Sequence, residues 1–277
     1  MSDALLQARL SAGYPAKPHV LRDASFALHP GEILGLVGES GSGKSTLALA
    51  ILRLLNYRGG AVTGQILFQG RDLVPLPERA MRRVRGREIG FVSQSPVTSL
   101  NPALRIGTQL NEAWCAHANG ARSQRRDRFL SLLESVSLPA DDALLRRHPG
   151  ELSVGQAQRL LIAMSILHKP SLVIADEPTS ALDVVTQAEI LKLLARLNRD
   201  LNMAVLYISH DLLSVSSLCH RVAILHEGAI VECGLTQQIF RDPRHPYTRR
   251  LIDAIPKSPT WPAVSESRPE EAVSSTA

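Results

Sequence analysis

Cysteines, aromatic rings and long apolar runs are all scarce in this chain, and each scarcity removes a class of function. The three cysteines, Cys115, Cys219 and Cys233, lie far apart with no C-x-x-C pair. That spacing excludes a conventional zinc site or a disulfide framework and predicts reduced, partly buried thiols. Aromatic residues make up 4% of the chain. Single-stranded nucleic acid is held largely by stacking on such rings, so a nucleic-acid partner is not expected. No stretch approaches the ~18 to 20 uninterrupted apolar residues that span a bilayer. Met1 to Gln7 carries an acid and no basic flank, unlike a secretory leader, so a cytosolic chain is expected. The net charge of +5 is modest. Arginines cluster at Arg79, Arg82, Arg83, Arg85 and Arg87, and again at Arg122, Arg125, Arg126 and Arg128. Both clusters read as solvated helix faces, with docking on another subunit or on lipid headgroups as the alternatives.

What is present is a glycine-rich anion cradle. The run Gly38-Glu39-Ser40-Gly41-Ser42-Gly43-Lys44-Ser45-Thr46 matches G-x-x-x-x-G-K-[ST] at every fixed position. The glycines clear side chains away, so backbone N–H groups can turn inward around phosphate. Lys44 supplies positive charge for the outer phosphates, and Ser45 a hydroxyl for Mg²⁺. The flanks agree. Ile33-Leu34-Gly35-Leu36-Val37 suits a buried strand, and Leu47 to Leu55 suits a helix whose positive end faces the phosphates.

Apolar residues make up 44% of the 277 positions, enough for a sizeable core. Leu5 to Leu10, Ala24 to Leu28, Gly31 to Val37, Gly64 to Gln69 and Glu88 to Ser93 read as strands. A turn-rich break falls at Tyr14 to Pro18, and a short basic helix near Glu78 to Val84. From Ile106 to about Leu145 the texture is helical. Phe129, Leu132, Leu133 and Val136 make one apolar stripe. About Pro96 to Leu167 therefore reads as a helical lobe inserted into an α/β core. The core resumes with a strand at Leu172 to Ala175, a helix from about Thr186 and a strand at Ala204 to Ser209. A helix from Asp211 and a hairpin around Glu227-Gly228 follow. Strands alternating with helices imply a parallel sheet. The tail from Pro256, rich in Pro, Ser and Glu, is expected to be disordered.

A second constellation follows. Leu172 to Pro178 ends an apolar strand in two carboxylates. With that strand expected beside the one carrying the phosphate loop, Asp176 is placed to hold Mg²⁺. Glu177 would orient or deprotonate the attacking water. Upstream, Ser153 and Gln156 form an S-x-x-Q capping box before an apolar helix. The same helix tip, with Gly155 at its mouth, is also an anion site. One chain then carries two phosphate-recognising surfaces. Two subunits arranged head to tail would use both, each capping the other's ATP.

The order of these motifs resembles an ABC transporter ATPase over nearly all of residues 1–255. It runs from the phosphate loop through Gln94 in Phe-Val-Ser-Gln, Leu-Ser-Val-Gly-Gln and Asp176-Glu177. Ser180-Ala181-Leu182-Asp183 and Ile208-Ser209-His210-Asp211 complete it. Thr98 to Pro102, Gly228 to Glu232 and His245-Pro246-Tyr247-Thr248 resemble the dipeptide, oligopeptide and nickel importer ATPases. The resemblance implies a P-loop NTPase (RecA-like) α/β core with a parallel sheet. It adds an N-terminal antiparallel β subdomain and an inserted helical subdomain over about 96–167. ATP and Mg²⁺ are the implied cofactors. Gln94 would join Mg²⁺ and sense the γ-phosphate, His210 would contact that phosphate, and Tyr14 would stack on adenine. Ser153, Gly155, Gln156 and Asp183 would serve the partner's nucleotide, although Asp183 can equally cap the helix that follows it.

The implied assembly is a second, non-identical ATPase subunit, two transmembrane permease subunits and an extracytoplasmic solute-binding protein. Its place is the cytoplasmic face of the cell membrane. A second reading is a non-transport ATPase subunit of a soluble complex such as carbon–phosphorus lyase. The chain departs from the family pattern at Val154, where glycine is usual, and at Ser95, where the subfamily has aspartate. A stiff branched side chain at Val154 is expected to weaken the ATP site that this helix completes.

Overall fold

The computed structural model describes residues 4–119 and 121–255. Strands β1 (Leu6–Tyr14) and β2 (Lys17–Leu28) form an antiparallel hairpin, with Tyr14 opposite Lys17. The turn is thus confined to Pro15-Ala16, and β2 starts seven residues earlier than the apolar run at Ala24 suggests. Pro18 is tolerated because β2 lies at the edge of its sheet. β3 (Ile33–Val37) is buried at every position and leads through the phosphate loop into α1 (Lys44–Ile51). β4 (Ala61–Phe68) and β5 (Arg71–Asp72) complete a four-stranded antiparallel sheet in the order β2-β1-β4-β5. The basic helix α2 (Glu78–Val84) and β6 (Ile89–Val92) come next.

The helical lobe contains α3 (Pro96–Ser99), α4 (Ile106–Cys115), α5 (Arg122–Ser135), α6 (Asp142–Arg146) and α7 (Val154–Ile166). Its Phe129, Leu132, Leu133 and Val136 stripe is buried, as the spacing predicts. The chain then alternates through β7 (Leu172–Asp176), α8 (Val184–Leu201), β8 (Ala204–Ser209) and α9 (Leu212–Leu218). A hairpin of β9 (Arg221–His226) and β10 (Ala229–Leu235), then α10 (Thr236–Arg241) and α11 (Pro246–Asp253), close the described part. The tail from Pro256 lies outside it.

The main sheet has six strands in the order β10-β9-β3-β8-β7-β6, parallel except for β10. One expectation is corrected here. The strand ending in Asp176 is not beside the phosphate-loop strand, because β8 separates β7 from β3. Burial could not decide the order, since β7 and β8 are both buried throughout and apolar up to their last residue. The register still brings the ends level, with Val37 opposite Ser209 and Asp176 opposite Ile208.

Both faces of this sheet are covered. Leu34 and Leu36 face α1 and the antiparallel sheet, packing with Leu47, Ile51, Leu10 and Phe68. Ile33 and Val37 belong to the opposite cluster, which includes Leu160 and Ile162 of α7 and Ile190 and Leu194 of α8. The lobe's apolar stripe joins that second cluster, so lobe and core share one apolar interior. Continuous burial on two faces is why these strands read as unbroken apolar runs.

Arg79, Arg82, Arg83 and Arg87 are exposed, as a solvated face predicts, but other arginines of the two clusters are engaged. Arg85 forks onto both oxygens of Glu78 at 2.8 Å and also donates to the Leu52 carbonyl. That pairing holds the Glu78 carboxyl down to about 2. Arg125 reaches Asn111, Arg126 forks onto Asp142, and Arg128 holds the Leu167 carbonyl. These side chains tie helices together. The cysteines are free, with Cys219 buried.

Candidate nucleotide site

The loop after β3 owes its path to glycines. Gly41 and Gly43 adopt positive φ of 81° and 111°, the region that glycine occupies without strain. Gly38 is needed for a different reason: a Cβ there would stand 2.3 Å from the Leu225 carbonyl oxygen of β9. The loop delivers the chain onto the N-terminus of α1, where free N–H groups and the helix dipole favour an anion. Lys44 is 6% exposed, and its Nζ donates to the Gly38 and Glu39 carbonyls at 2.8 and 3.0 Å. Burial lowers the pKa of its ammonium, against the opposing pull of Glu177 and Asp176. Ser42 Oγ is buried without a hydrogen-bond partner among the described residues, a donor available to an anion.

Asp176 closes β7 and accepts a hydrogen bond from Ser45 Oγ at 3.2 Å. Burial pushes its carboxyl pKa up. The Ser45 bond opposes that, Glu177 adds to it, and Lys44 opposes it. The next residue, Glu177, has φ 48°, a left-handed conformation uncommon outside glycine. Its N–H still bonds to the Ile208 carbonyl, so the turn begins only after the ladder is complete. Glu177 Oε2 accepts from Gln94 Nε2 at 3.0 Å, and Oε1 lies 3.1 Å from His210 Nδ1.

These groups surround one cavity of about 540 Å³. Ser40, Gly41, Gly43, Lys44, Ser45, Thr46, Gln94, Glu177 and His210 line it. Gly38 and Ser42 shape the loop behind that lining, and Asp176 lies beneath Ser45. Val20 of β2 also lines the cavity, a residue with no motif to mark it in the sequence. Tyr14 does not. It ends β1 and packs, half-buried, against the apolar cluster under the antiparallel sheet.

Ser153, Gly155, Gln156 and Asp183 lie apart from this cavity. Ser153 Oγ accepts from the Gln156 N–H at 3.2 Å, and Gln156 Oε1 accepts from the Ser153 N–H at 3.0 Å. The capping box is therefore formed, on a helix tip that the chain's own phosphate loop does not use. Gly155 lets α7 approach α8, since a Cβ there would stand 2.8 Å from Thr186 Cγ2. Asp183 caps α8, accepting from the Val185 and Thr186 N–H groups and the Thr186 hydroxyl. Val154 is 43% exposed at the same helix tip.

Sequence reading also missed a buried hydroxyl chain behind the carboxylates. Tyr207 OH lies 3.3 Å from Thr179 Oγ1 and donates to Ser214 Oγ at 3.2 Å. Gln187 of α8 donates to Asp211 at 2.9 Å, linking α8 to the segment after His210. A lone tyrosine among the apolar residues of β8 was the available signal.

Comparison with known proteins agrees with this geometry. The ABC transporter family profile matches residues 21–180, and that of the oligopeptide/dipeptide transporter C-terminal region matches residues 231–275. The oligopeptide transport ATP-binding protein OppD of Bacillus subtilis is 43% identical over 244 residues, 88% of this chain and 68% of that protein. The dipeptide transport ATP-binding protein DppD of Escherichia coli is 43% identical over 233 residues, 84% of this chain and 71% of that protein. A solved ATP-binding cassette, dimeric in a post-hydrolysis state with ADP and Pi, superposes with a TM-score of 0.72 at 25% identity. The match covers 83% of this chain and 98% of that one. With its phosphate loop, paired carboxylates and capped helix tip in these positions, the chain belongs to the ABC transporter family of ATP-binding subunits.

Proposed function

We propose that this chain hydrolyses ATP to drive an importer of peptides or a related small solute such as nickel. The observation that carries the reading is the convergence of Lys44, Ser45, Gln94, Glu177 and His210 on one cavity at a helix N-terminus, with Asp176 bonded to Ser45 beneath it. The C-terminal region shared with oligopeptide and dipeptide transporters supports transport over the soluble-lyase reading. Among the described residues no helix is long and apolar enough to cross a membrane. Translocation would then fall to two permease subunits, with an extracytoplasmic protein presenting the solute. The chain would sit on the cytoplasmic face.

In this reading the loop N–H groups and Lys44 hold the phosphates, and Val20, rather than Tyr14, flanks the base. Ser45, Asp176 and Gln94 offer only oxygen ligands, the donor set that suits Mg²⁺. When bound, the ion would neutralise phosphate charge. Glu177 takes the proton of the attacking water, and His210 holds its carboxylate at 3.1 Å. Gln94 bonds the other oxygen, so the strand end before the helical lobe registers the state of the site. A second ATPase subunit, related but not identical, packs head to tail. Each subunit's Ser153, Gly155, Gln156 and Asp183 then close the other's site. Closure around two nucleotides moves the permeases, and hydrolysis releases the pair.

Glu177→Gln tests this. Glutamine keeps the length and an oxygen acceptor for Gln94 but cannot take a proton. ATP binding should persist while turnover falls by about 10²- to 10⁴-fold, the usual contribution of a general base. Normal turnover would reject the assignment. Co-purification with integral membrane proteins would separate transport from the lyase reading.

A further inference from the structure

The His245-Pro246-Tyr247-Thr248 run has no part in the chemistry above, yet it reaches the phosphate loop. The Glu39 N–H donates to the Tyr247 hydroxyl at 3.1 Å, across 208 positions of chain. That N–H belongs to the peptide group joining Gly38 to Glu39. The carbonyl of the same group, Gly38 O, accepts from Lys44 Nζ at 2.8 Å. The two ends of one peptide are thus held by Tyr247 and by Lys44. A peptide group is planar, so fixing its N–H direction fixes its C=O direction.

The hydroxyl is itself closely aimed. Tyr247 is 2% exposed, and its ring stacks on His226 with centroids 3.6 Å apart and planes 18° apart. His226 follows Leu225, whose carbonyl oxygen crowds Gly38. Glu232 on β10 accepts from the N–H groups of Arg244 and His245 at 2.9 and 3.0 Å, pinning the approach to α11. His245 Nδ1 then caps that helix by accepting from the Tyr247 N–H at 3.2 Å. Little rotamer freedom is left for Tyr247, so the hydrogen bond costs little further ordering.

We propose that Tyr247 is a positioning residue of the nucleotide site. Its hydroxyl sets the Gly38–Glu39 peptide, and through it the seat of the Lys44 ammonium. The role rests on the phosphate loop being where this chain binds ATP. Glu232 and His245 serve it by fixing where α11 begins.

Tyr247→Phe keeps the ring and its stack and removes only the hydroxyl. With Mg-ATP titrated onto the intact chain, the Kd should rise about three- to tenfold, the range of one net hydrogen bond. Leu251→Ala, packed on the core from the same helix, removes apolar packing of α11 and leaves the Tyr247 hydroxyl in place. It should lower the unfolding midpoint and leave the Kd within about twofold of wild type, well under one hydrogen bond. An unchanged Kd in Y247F would overturn the proposal. So would an equal loss of affinity in L251A, which would make the role merely structural. A wild-type chain that fails to bind Mg-ATP would overturn the reading of the loop itself.

Discussion

Replacing Gly38 by alanine separates two uses of glycine within one loop. At Gly38 the difficulty is space. The new Cβ would stand 2.3 Å from the Leu225 carbonyl oxygen and 2.7 Å from Ser42 Oγ. The serine can rotate away, but the carbonyl belongs to β9 and sits in its ladder with β10, where Leu225 is opposite Ile230. The loop or the strand end must shift by about 1 Å to reach ordinary contact, and overpacking of this kind costs about 3 kcal/mol. For a domain of this size each kcal/mol lowers the midpoint by about 2–4 °C, so Gly38→Ala should lose about 6–12 °C. At Gly41 the difficulty is conformational. Its φ is +81°, but nothing lies within 4 Å of the added carbon. Gly41→Ala should cost about 1 kcal/mol and thus about 2–4 °C. Differential scanning calorimetry of the nucleotide-free chain reads both values. The reasoning fails if Gly38→Ala is as stable as Gly41→Ala.

Val154→Gly should speed ATP turnover of the assembled pair, felt at the partner's nucleotide. It should cost this chain no more than the ~1 kcal/mol of a glycine inside a helix. Turnover that stays level or falls would reject any weakening by Val154. Asp176→Asn should raise the midpoint of the nucleotide-free chain at pH 8. Burial raises the folded-state pKa of Asp176, so ionisation is disfavoured on folding. That penalty is fully present above the raised pKa and vanishes below the unfolded value near 3.8. The gain should therefore shrink as pH falls from 8 toward 4, and a gain that grows instead would contradict the direction assigned.

Much of the site was legible because its motifs are local. The phosphate loop, Asp176-Glu177 and the Ser153–Gln156 box each declare their geometry within a few residues. Helix stripes were legible for the same reason, and Ile190, Leu193, Leu194 and Leu197 are all buried on α8. Strand order was not. β7 and β8 carry equivalent apolar runs, and only long-range pairing puts β8 next to β3. The length of β2 was hidden because an edge strand with Pro18 and three exposed residues at its start looks like a loop. Arginine clusters conceal their partners for the same reason, since Arg128 meets a carbonyl 39 positions away. Tyr247 is the extreme case, as nothing near it in sequence points to Glu39.

The interposed β8 has a mechanical consequence. To alter the spacing between the anion cradle and Glu177, two successive ladders, β3 to β8 and β8 to β7, would have to shear. The sheet acts as a ruler that keeps those parts at a set distance through the working cycle. Gln94 is mounted differently, just past β6 at the outermost margin and directly before the helical lobe. Of the groups touching Glu177, it is the one carried from the sheet's outermost strand, whereas His210 follows the central β8.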